Sequence, residues 1–352
     1  MKKVMIGALA AAVAVGFVGC SEKKGQTTGL KTPRELFNLA GKYTNPDGMA
    51  IKDGFVYVNM NNLALEKPSV IVRFKPDTKT LEEVVTLPVN PDTGFVCALG
   101  IVFGADGNLY VNDNQNFTGK GLGRSRILRV VMKDGKADGV EVVVTGINEA
   151  NGITSFGDTL YVVDSKFTTE PVYTSGVYAF KLSDLSAENP IVVKAGKDDP
   201  HCILSFDTTG PWEVGANGIA ADCEGNVFVC NFGDAVLWKA TFNADRTVKD
   251  FKPFADCKPA GVESLDGLQY DGDGGLWTAD FIGNAIVNIA ACCGEITVVA
   301  KNPPSDGSNG QLHAPSECIR LGNKVYVSNI SLTFGPHTAT AVGTHTMSVI
   351  DL

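Results

Sequence analysis

The sequence predicts an all-β protein with the architecture of a six-bladed β-propeller built from four-stranded blades. A strand–turn–strand pattern recurs six times at intervals of about fifty residues, a period typical of propeller blades. The 39 glycines suit many tight turns, and no stretch beyond the N-terminal leader shows sustained helical spacing of apolar residues. These three observations together exclude a helical fold and favour one ring of repeats.

Each repeat opens with a short motif, usually Asp or Asn followed by Gly, that leads into an apolar strand. A turn and a second strand follow, as in Asn217-Gly218, the turn at Glu224-Gly225-Asn226 and the alternating strand Val227 to Cys230. The six repeats open at Asp47, Leu99, Asn151, Asn217, Asp266 and Ser316. Repetition of the same unit predicts six equivalent inner hairpins around one axis.

Two further strands are predicted in most repeats. A third strand follows each hairpin and a fourth follows in five repeats, with Pro190 to Ala195 assigned as the fourth strand of the third repeat. The sixth repeat reaches Leu352 without a fourth strand. Arg34 to Ala40 has the length of that missing strand, so we expect it to close the ring and cover the open edge. The propeller is thereby assigned to residues 32–352.

The first residues are typical of an export signal. Lys2 and Lys3 precede the apolar run Val4 to Val18, and Cys20 follows where a bacterial lipobox would end. We expect cleavage after residue 19, a lipid on Cys20 as the link to a membrane, and a flexible tether over residues 21–31. These features place the protein at the bacterial cell envelope; an ordinary secretory signal with a chance cysteine is the alternative.

Charge limits the partners. Acidic residues outnumber basic ones, for a net charge of −9, and no basic stripe is present. Because phosphate backbones are bound by clustered Lys and Arg, nucleic acid is excluded as a partner. A small-molecule substrate, or a protein partner in the envelope, remains.

The residues that open the repeats are candidates for a metal site. In a propeller these positions crowd around one end of the central channel, and Asp47, Asn151, Asn217 and Asp266 would bring two carboxylates and two amide oxygens together there. Such hard oxygen ligands suit Ca²⁺ or a similar divalent cation. The alternative is that these Asx-Gly pairs only shape turns at the strand entry.

Other candidate residues are expected at the same end of the channel. His201 and His313 precede predicted first strands, and with Glu263 they are candidates to transfer a proton. The long insertions Lys197 to Gly215 and Ile330 to Thr346 could wall a substrate pocket, with Trp212 and Phe334 in its apolar lining.

Two phrases resemble a known family. The motifs of the SMP-30/gluconolactonase group resemble residues 216–229, ANGIAADCEGNVFV, and residues 265–280, LDGLQYDGDGGLWTAD. That group belongs, with paraoxonases and diisopropylfluorophosphatase-type enzymes, to a superfamily of calcium-dependent six-bladed propeller hydrolases. The resemblance implies metal ligands at Asp47, Asn151, Asn217 and Asp266, with Asp266 also a candidate base or nucleophile. Asp47 is one methylene shorter than the Glu of that group, and Leu99 stands where many relatives carry a polar residue or His.

Two functions follow as hypotheses. The first is a metal-dependent hydrolase of a lactone, ester or phosphoester. The second is a non-catalytic envelope propeller that binds a protein, glycan or small ligand, with any metal structural. Substitution of Asp266 separates them, since only the hydrolase should lose turnover.

Overall fold

The structure is a computed structural model that describes residues 29–352 except 79, 118, 120 and 340–343. Six blades of four antiparallel strands form a ring, one of the sheets carries a short fifth strand at its edge, and the described helices are short 3₁₀ segments. The predicted all-β propeller is therefore confirmed. The leader, Cys20 and residues 21–28 of the predicted tether lie outside the described residues. None of the helices in the described part is long and apolar enough to span a membrane.

The strands run in chain order from the channel outward in blades 1 to 5. They are numbered β1 to β25, and β1 (Arg34–Asn38) belongs to the last blade. Blade 1 contains β2 (Pro46–Lys52), β3 (Phe55–Met60), β4 (Val70–Phe74) and β5 (Glu82–Thr86). Blade 2 contains β6 (Ala98–Phe103), β7 (Leu109–Asp113), β8 (Ser125–Lys133) and β9 (Lys136–Ile147). Blade 3 contains β10 (Ala150–Phe156), β11 (Thr159–Thr168), β12 (Tyr173–Lys181) and β14 (Cys202–Thr208). The short strand β13 (Ile191–Val192) lies between β12 and β14 in the chain but belongs to the sheet of blade 2.

The second half of the ring repeats this order. Blade 4 contains β15 (Ala216–Ala221), β16 (Val227–Asn231), β17 (Val236–Phe242) and β18 (Val248–Asp256). Blade 5 contains β19 (Leu268–Tyr270), β20 (Gly275–Asp280), β21 (Ala285–Ala290) and β22 (Ile296–Lys301). Blade 6 contains β23 (Pro315–Leu321), β24 (Lys324–Asn329) and β25 (Thr346–Asp351), with β1 outermost. The 3₁₀ helices are Leu63–Leu65, Leu182–Asp184, Lys258–Ala260, Ser308–Gly310 and Gly335–Ala339.

The N-terminal strand closes the ring as expected. β1 pairs antiparallel with β25, with Arg34 opposite Val349 and Asn38 opposite Thr346. It is two residues shorter than the predicted segment Arg34 to Ala40. Because its partner comes from the other end of the chain, this pairing joins the two ends of the fold.

One predicted strand is wrong. Ile191–Val192 does not form the outer edge of blade 3; it pairs in parallel with β9 of blade 2. The outer strand of blade 3 is β14, which lies within the segment expected to be a long loop. The physical reason is packing: Val193 is buried and Ile191 half-buried against the apolar layer between blades 2 and 3.

The core is divided among the blade interfaces. Six apolar clusters fill the six gaps between neighbouring blades. On β3, Val56 and Val58 face blade 6, and Tyr57 between them faces blade 2. A strand covered on both faces is apolar at successive positions rather than alternately. The strand Val227 to Cys230, predicted to alternate, is likewise buried at every position.

The strands nearest the channel are bulged at the predicted motifs. In β2, β6, β10 and β15 the pairing skips the residue pairs Asp47-Gly48, Leu99-Gly100, Asn151-Gly152 and Asn217-Gly218. Asp266-Gly267 stands directly before β19. A bulge bends its strand and re-aims side chains, so these motifs are positioned to point into the channel.

Candidate functional site

The glycines of the motifs let the blades meet at the channel. A methyl group on Gly152 would collide with the carbonyl oxygen of Asn217 in the next blade, and one on Gly218 would collide with that of Asp266. The Gly218 N–H instead donates to the Asp266 carbonyl oxygen at 3.0 Å. Only a residue without Cβ fits this close approach. The Asx residue that precedes each such glycine therefore lies at the channel.

The four predicted metal ligands surround one small cavity. Asp47, Asn151, Asn217 and Asp266 all line a space of about 10 Å³ that residues of all six blades border. This is about the volume that one water molecule, or one ion of similar size, requires. Asn217 is buried, whereas the other three are partly open to the cleft above. The structure thus brings together four side chains that lie up to 219 positions apart, from residue 47 to residue 266.

Electrostatics at this cavity favour a bound cation. Burial raises the pKa of Asp47 to about 7, opposed by a hydrogen bond from Ser316. Burial also raises the pKa of Asp266 well above its usual range, and the nearby carboxyls of Asp47 and Glu317 raise it further. Negative charges that are desolvated and repel one another are stabilised when a cation lies between them.

The structure adds one residue that the sequence analysis missed. Glu317 lines the same cavity, is 6% exposed, and its Oε1 has no hydrogen-bond partner. It stands in blade 6 at the position that a glycine occupies in the other five motifs. The signal was present in the sequence, since Ser316-Glu317 breaks the pattern of the five pairs that end in Gly.

Asn side chains at the ends of the second strands hold the motifs in place. Asn112 Nδ2 donates to the carbonyl oxygens of Asn151 at 2.8 Å and Gly152 at 3.0 Å. Asn59 Nδ2 donates to the Leu99 carbonyl oxygen in the same way. These bonds run from one blade to the next and fix the backbone that carries the candidate ligands.

A larger cleft opens above the cavity. It measures about 410 Å³ and shares Asp47, Asn151, Asn217 and Asp266 as its floor. One wall is apolar and consists of Val214, Phe232, Phe281, Ile330, Leu332 and Phe334. The predicted pocket residue Phe334 is thus in the lining, and Trp212 packs against it with ring centroids 5.8 Å apart.

The opposite wall of the cleft is polar. Asn114, Asn116, Glu149 and Ser165 line it. The Glu149 carboxylate accepts a hydrogen bond from Asn116 Nδ2 at 2.6 Å and lies 3.4 Å from Lys166 Nζ. Glu149 was also missed from the sequence, although it stands only two residues before Asn151.

Three predicted proton-transfer residues do not line the cavity or the cleft. His201 directly precedes β14, the outer strand of blade 3, and its Nδ1 lies 2.9 Å from Asp199 Oδ1. The insertion that contains His201 forms this outer strand and therefore does not bring it to the channel mouth. Glu263 is exposed and its backbone N–H caps Asp280. His313 is buried, and burial lowers its pKa to about 4, so it is neutral at pH 7.

The donor set fits a hard cation only when the amides are included. Across the residues that the structure describes, no three His, Cys, Asp or Glu side chains are grouped so as to hold an ion by themselves. Two carboxylates and two amide oxygens around a cavity of one-ion size are, in contrast, the mixed oxygen ligands that Ca²⁺ accepts. The residues present therefore fit a calcium-type ion and not a zinc-type one.

No family model matches the sequence, and a comparison with curated proteins finds no match. Solved structures do match. A luciferin-regenerating enzyme is 15% identical, with a TM-score of 0.59 over 92% of this chain and 95% of its own. A gluconolactonase from Xanthomonas campestris is 15% identical, with a TM-score of 0.54 over 91% and 94% of the two chains. The calcium-binding protein regucalcin from Agrobacterium tumefaciens is 11% identical, with a TM-score of 0.53 over 91% and 93%. The chain is therefore similar along nearly its whole described length to six-bladed β-propellers of the gluconolactonase and regucalcin type, as the sequence resemblance indicated.

Proposed function

We propose that the protein is a calcium-dependent hydrolase that opens a neutral, largely apolar lactone or cleaves a similar ester. The observation that carries this proposal is the convergence of Asp47, Asn151, Asn217 and Asp266 on one ion-sized cavity at the floor of a substrate-sized cleft. Similarity in fold to a gluconolactonase and to a calcium-binding protein supports it. The fold alone does not, because propellers host many unrelated chemistries.

The lining of the cleft indicates the class of substrate. None of its described residues is Lys or Arg, while Asp47, Glu149 and Asp266 are acidic. Even with the ion neutralising Asp47 and Asp266, no described basic side chain of the lining would bind the phosphate of a phosphorylated sugar. The apolar wall with Phe232, Phe281 and Phe334 is suited to an alkyl or aryl substituent, and the polar wall to the ring oxygens.

The side chains of the site have separable roles in this proposal. Asp47, Asn151, Asn217 and Asp266 would hold the ion, which when bound supplies a Lewis acid for the carbonyl oxygen worth several kcal/mol. Glu149 and Asp266 are the carboxylates placed to accept a proton from the attacking water. The apolar wall excludes water from the other side of the substrate, and ring opening yields a hydroxy acid.

The proposal is tested by metal removal. Purified protein is assayed against a panel of alkyl-substituted lactones, aldonolactones and aryl esters, first with Ca²⁺ and then with excess chelator. We expect hydrolysis of the apolar lactones with Ca²⁺ and at least about a hundredfold loss with chelator, restored by added Ca²⁺. Equal rates with and without metal would remove the mechanism, and metal binding without any turnover would favour a binding or structural role.

The same protein should show a characteristic pH dependence of ion affinity. Asp47 has its pKa raised to about 7 by burial, so below that pH it holds a proton that Ca²⁺ must displace. Apparent Ca²⁺ affinity is therefore expected to fall as the pH drops from about 8 to about 6.

We further propose that this activity takes place at the bacterial cell envelope, with the chain held by a lipid on Cys20. The motivation is the order of basic residues, apolar run and cysteine at the N-terminus. In cells expressing the full chain and grown with isotope-labelled palmitate, the protein should carry the label, and Cys20→Ser should lose it. A variant that keeps the label would contradict the lipid on Cys20.

A further inference from the structure

Glu317 differs from every other residue at its position in the ring. In blades 1 to 5 the residue after the motif's first position is Gly48, Gly100, Gly152, Gly218 or Gly267. In blade 6 it is Glu317, which is paired in β23 while only Ser316 is bulged out. Blade 6 therefore sends a carboxylate into the channel where the others send no side chain.

The neighbouring blade makes room for this carboxylate. A methyl group on Gly267 would lie 2.7 Å from Glu317 Cδ and 2.7 Å from its Oε1, so the carboxyl group rests directly on the Gly267 backbone. The Gln269 side chain and the Met49 backbone N–H lie beside the Glu317 carboxylate and oppose the rise in its pKa that burial causes. Gln269 Nε2 also donates to the Met49 carbonyl oxygen at 3.1 Å. The carboxylate is thus fixed between blades 5, 6 and 1.

One oxygen of this carboxylate has no partner. Glu317 Oε1 is buried without a hydrogen bond, although the side chain borders the cavity that Asp47 and Asp266 line. An unsatisfied buried carboxylate oxygen costs free energy, and here it is set beside two other desolvated carboxyl groups. A purely structural link between blades does not require a third carboxylate at position 317, because a glutamine there could accept the same hydrogen bonds.

We propose that Glu317 belongs to the cation site as a third negative charge at the border of the cavity, acting on an ion that Asp47, Asp266 and the amide oxygens of Asn151 and Asn217 would hold. The proposal rests on the metal site of the proposed function and deepens it. Asp47, Asp266 and Glu317 carry three negative charges when ionised, so the site is expected to prefer a trivalent hard cation over a divalent one of similar size. Coulomb energy scales with ion charge, so removal of the Glu317 charge should weaken binding of the trivalent ion more than binding of the divalent one, a difference that a purely structural glutamate would not give.

The test compares Ca²⁺ and Tb³⁺ binding to the purified protein by calorimetry at constant ionic strength. Glu317→Gln keeps the size and hydrogen-bonding groups of the side chain and removes its charge. We expect it to weaken Ca²⁺ binding about tenfold and Tb³⁺ binding about thirtyfold, since the lost attraction is one and a half times larger for the trivalent ion. Glu317→Gly, which restores the residue of the other five blades, should weaken both at least as much.

Glu188→Gln is the matched control, because it removes the same charge at an exposed loop position. It should change neither affinity more than about twofold. If Glu317→Gln lowers the melting temperature of the ion-free protein but leaves both affinities unchanged, Glu317 is only a link between blades and the inference is wrong. If the unmodified protein binds neither ion, the metal site itself is wrong, which is a separate result.

Discussion

Asp266→Asn is expected to lower kcat/KM for the best lactone substrate by roughly 10³-fold. The substitution keeps a side chain of the same shape but removes one of the two carboxylates that face both the cavity and the cleft. It also removes a candidate proton acceptor. Ion affinity should fall with activity, because Asp47 is then the only carboxylate left among the four predicted ligands.

The loss should not come from unfolding. Burial and the neighbouring Asp47 and Glu317 carboxyls already raise the pKa of Asp266, so a neutral amide is tolerated in the ion-free protein. The Asp266 backbone keeps its bonds to Ala279 at 2.8 Å and Gly218 at 3.0 Å. Melting curves in chelator should therefore match those of the unmodified protein. Asp245→Asn, at an exposed turn of blade 4, is the control that should retain full activity; an Asp266→Asn variant that also retained it would exclude the proposed centre.

Phe37→Ala is expected to destabilise the whole ring by about 3–5 kcal/mol, the range for loss of a buried Phe. Phe37 lies on the closing strand β1, is buried between blades 6 and 1, and makes an edge contact with Phe74 at 5.1 Å. Its contacts join the N-terminal strand to the first blade as well as to the last. Loss of the Phe37 phenyl group therefore weakens the pairing of β1 with β25 that closes the propeller.

Urea denaturation measures this effect as a shift in the unfolding midpoint. Glu35→Ala on the same strand is the control, since Glu35 is exposed and its loss should change the midpoint little. A more exposed edge of blade 6 should also make the Phe37→Ala variant more prone to associate at high concentration. Equal midpoints for the two variants would show that closure does not depend on this packing.

Much of the fold could be predicted because the repeats obey local rules. Strands such as β3, buried on both faces, read as continuous apolar runs, and the missing outer strand of blade 6 could be sought at the other end of the chain. The predicted outer strand of blade 3 is wrong because β13 and β14 both carry apolar residues that suit such a strand. Which of them edges the blade depends on packing against blade 2, which no local pattern contains.

The candidate site could be predicted only in part. The Asx-Gly motifs recur at a fixed place in the repeat, so their meeting at the channel followed from the architecture alone. Glu317 and Glu149 do not repeat, and their importance comes from what faces them across the channel or the cleft. The prediction of His201 at the channel mouth is wrong because its segment does not join two blades but leads into an outer strand.

The measurement that bears most directly on the central claim is a crystal structure of the protein with saturating Ca²⁺. We predict an ion on the channel axis with oxygens of Asp47, Asn151, Asn217 and Asp266 about 2.3–2.6 Å from it, the range for Ca²⁺ ligands. Density for an ion elsewhere on the molecule, with these four side chains turned away from one another, would contradict the proposed centre while leaving the propeller intact.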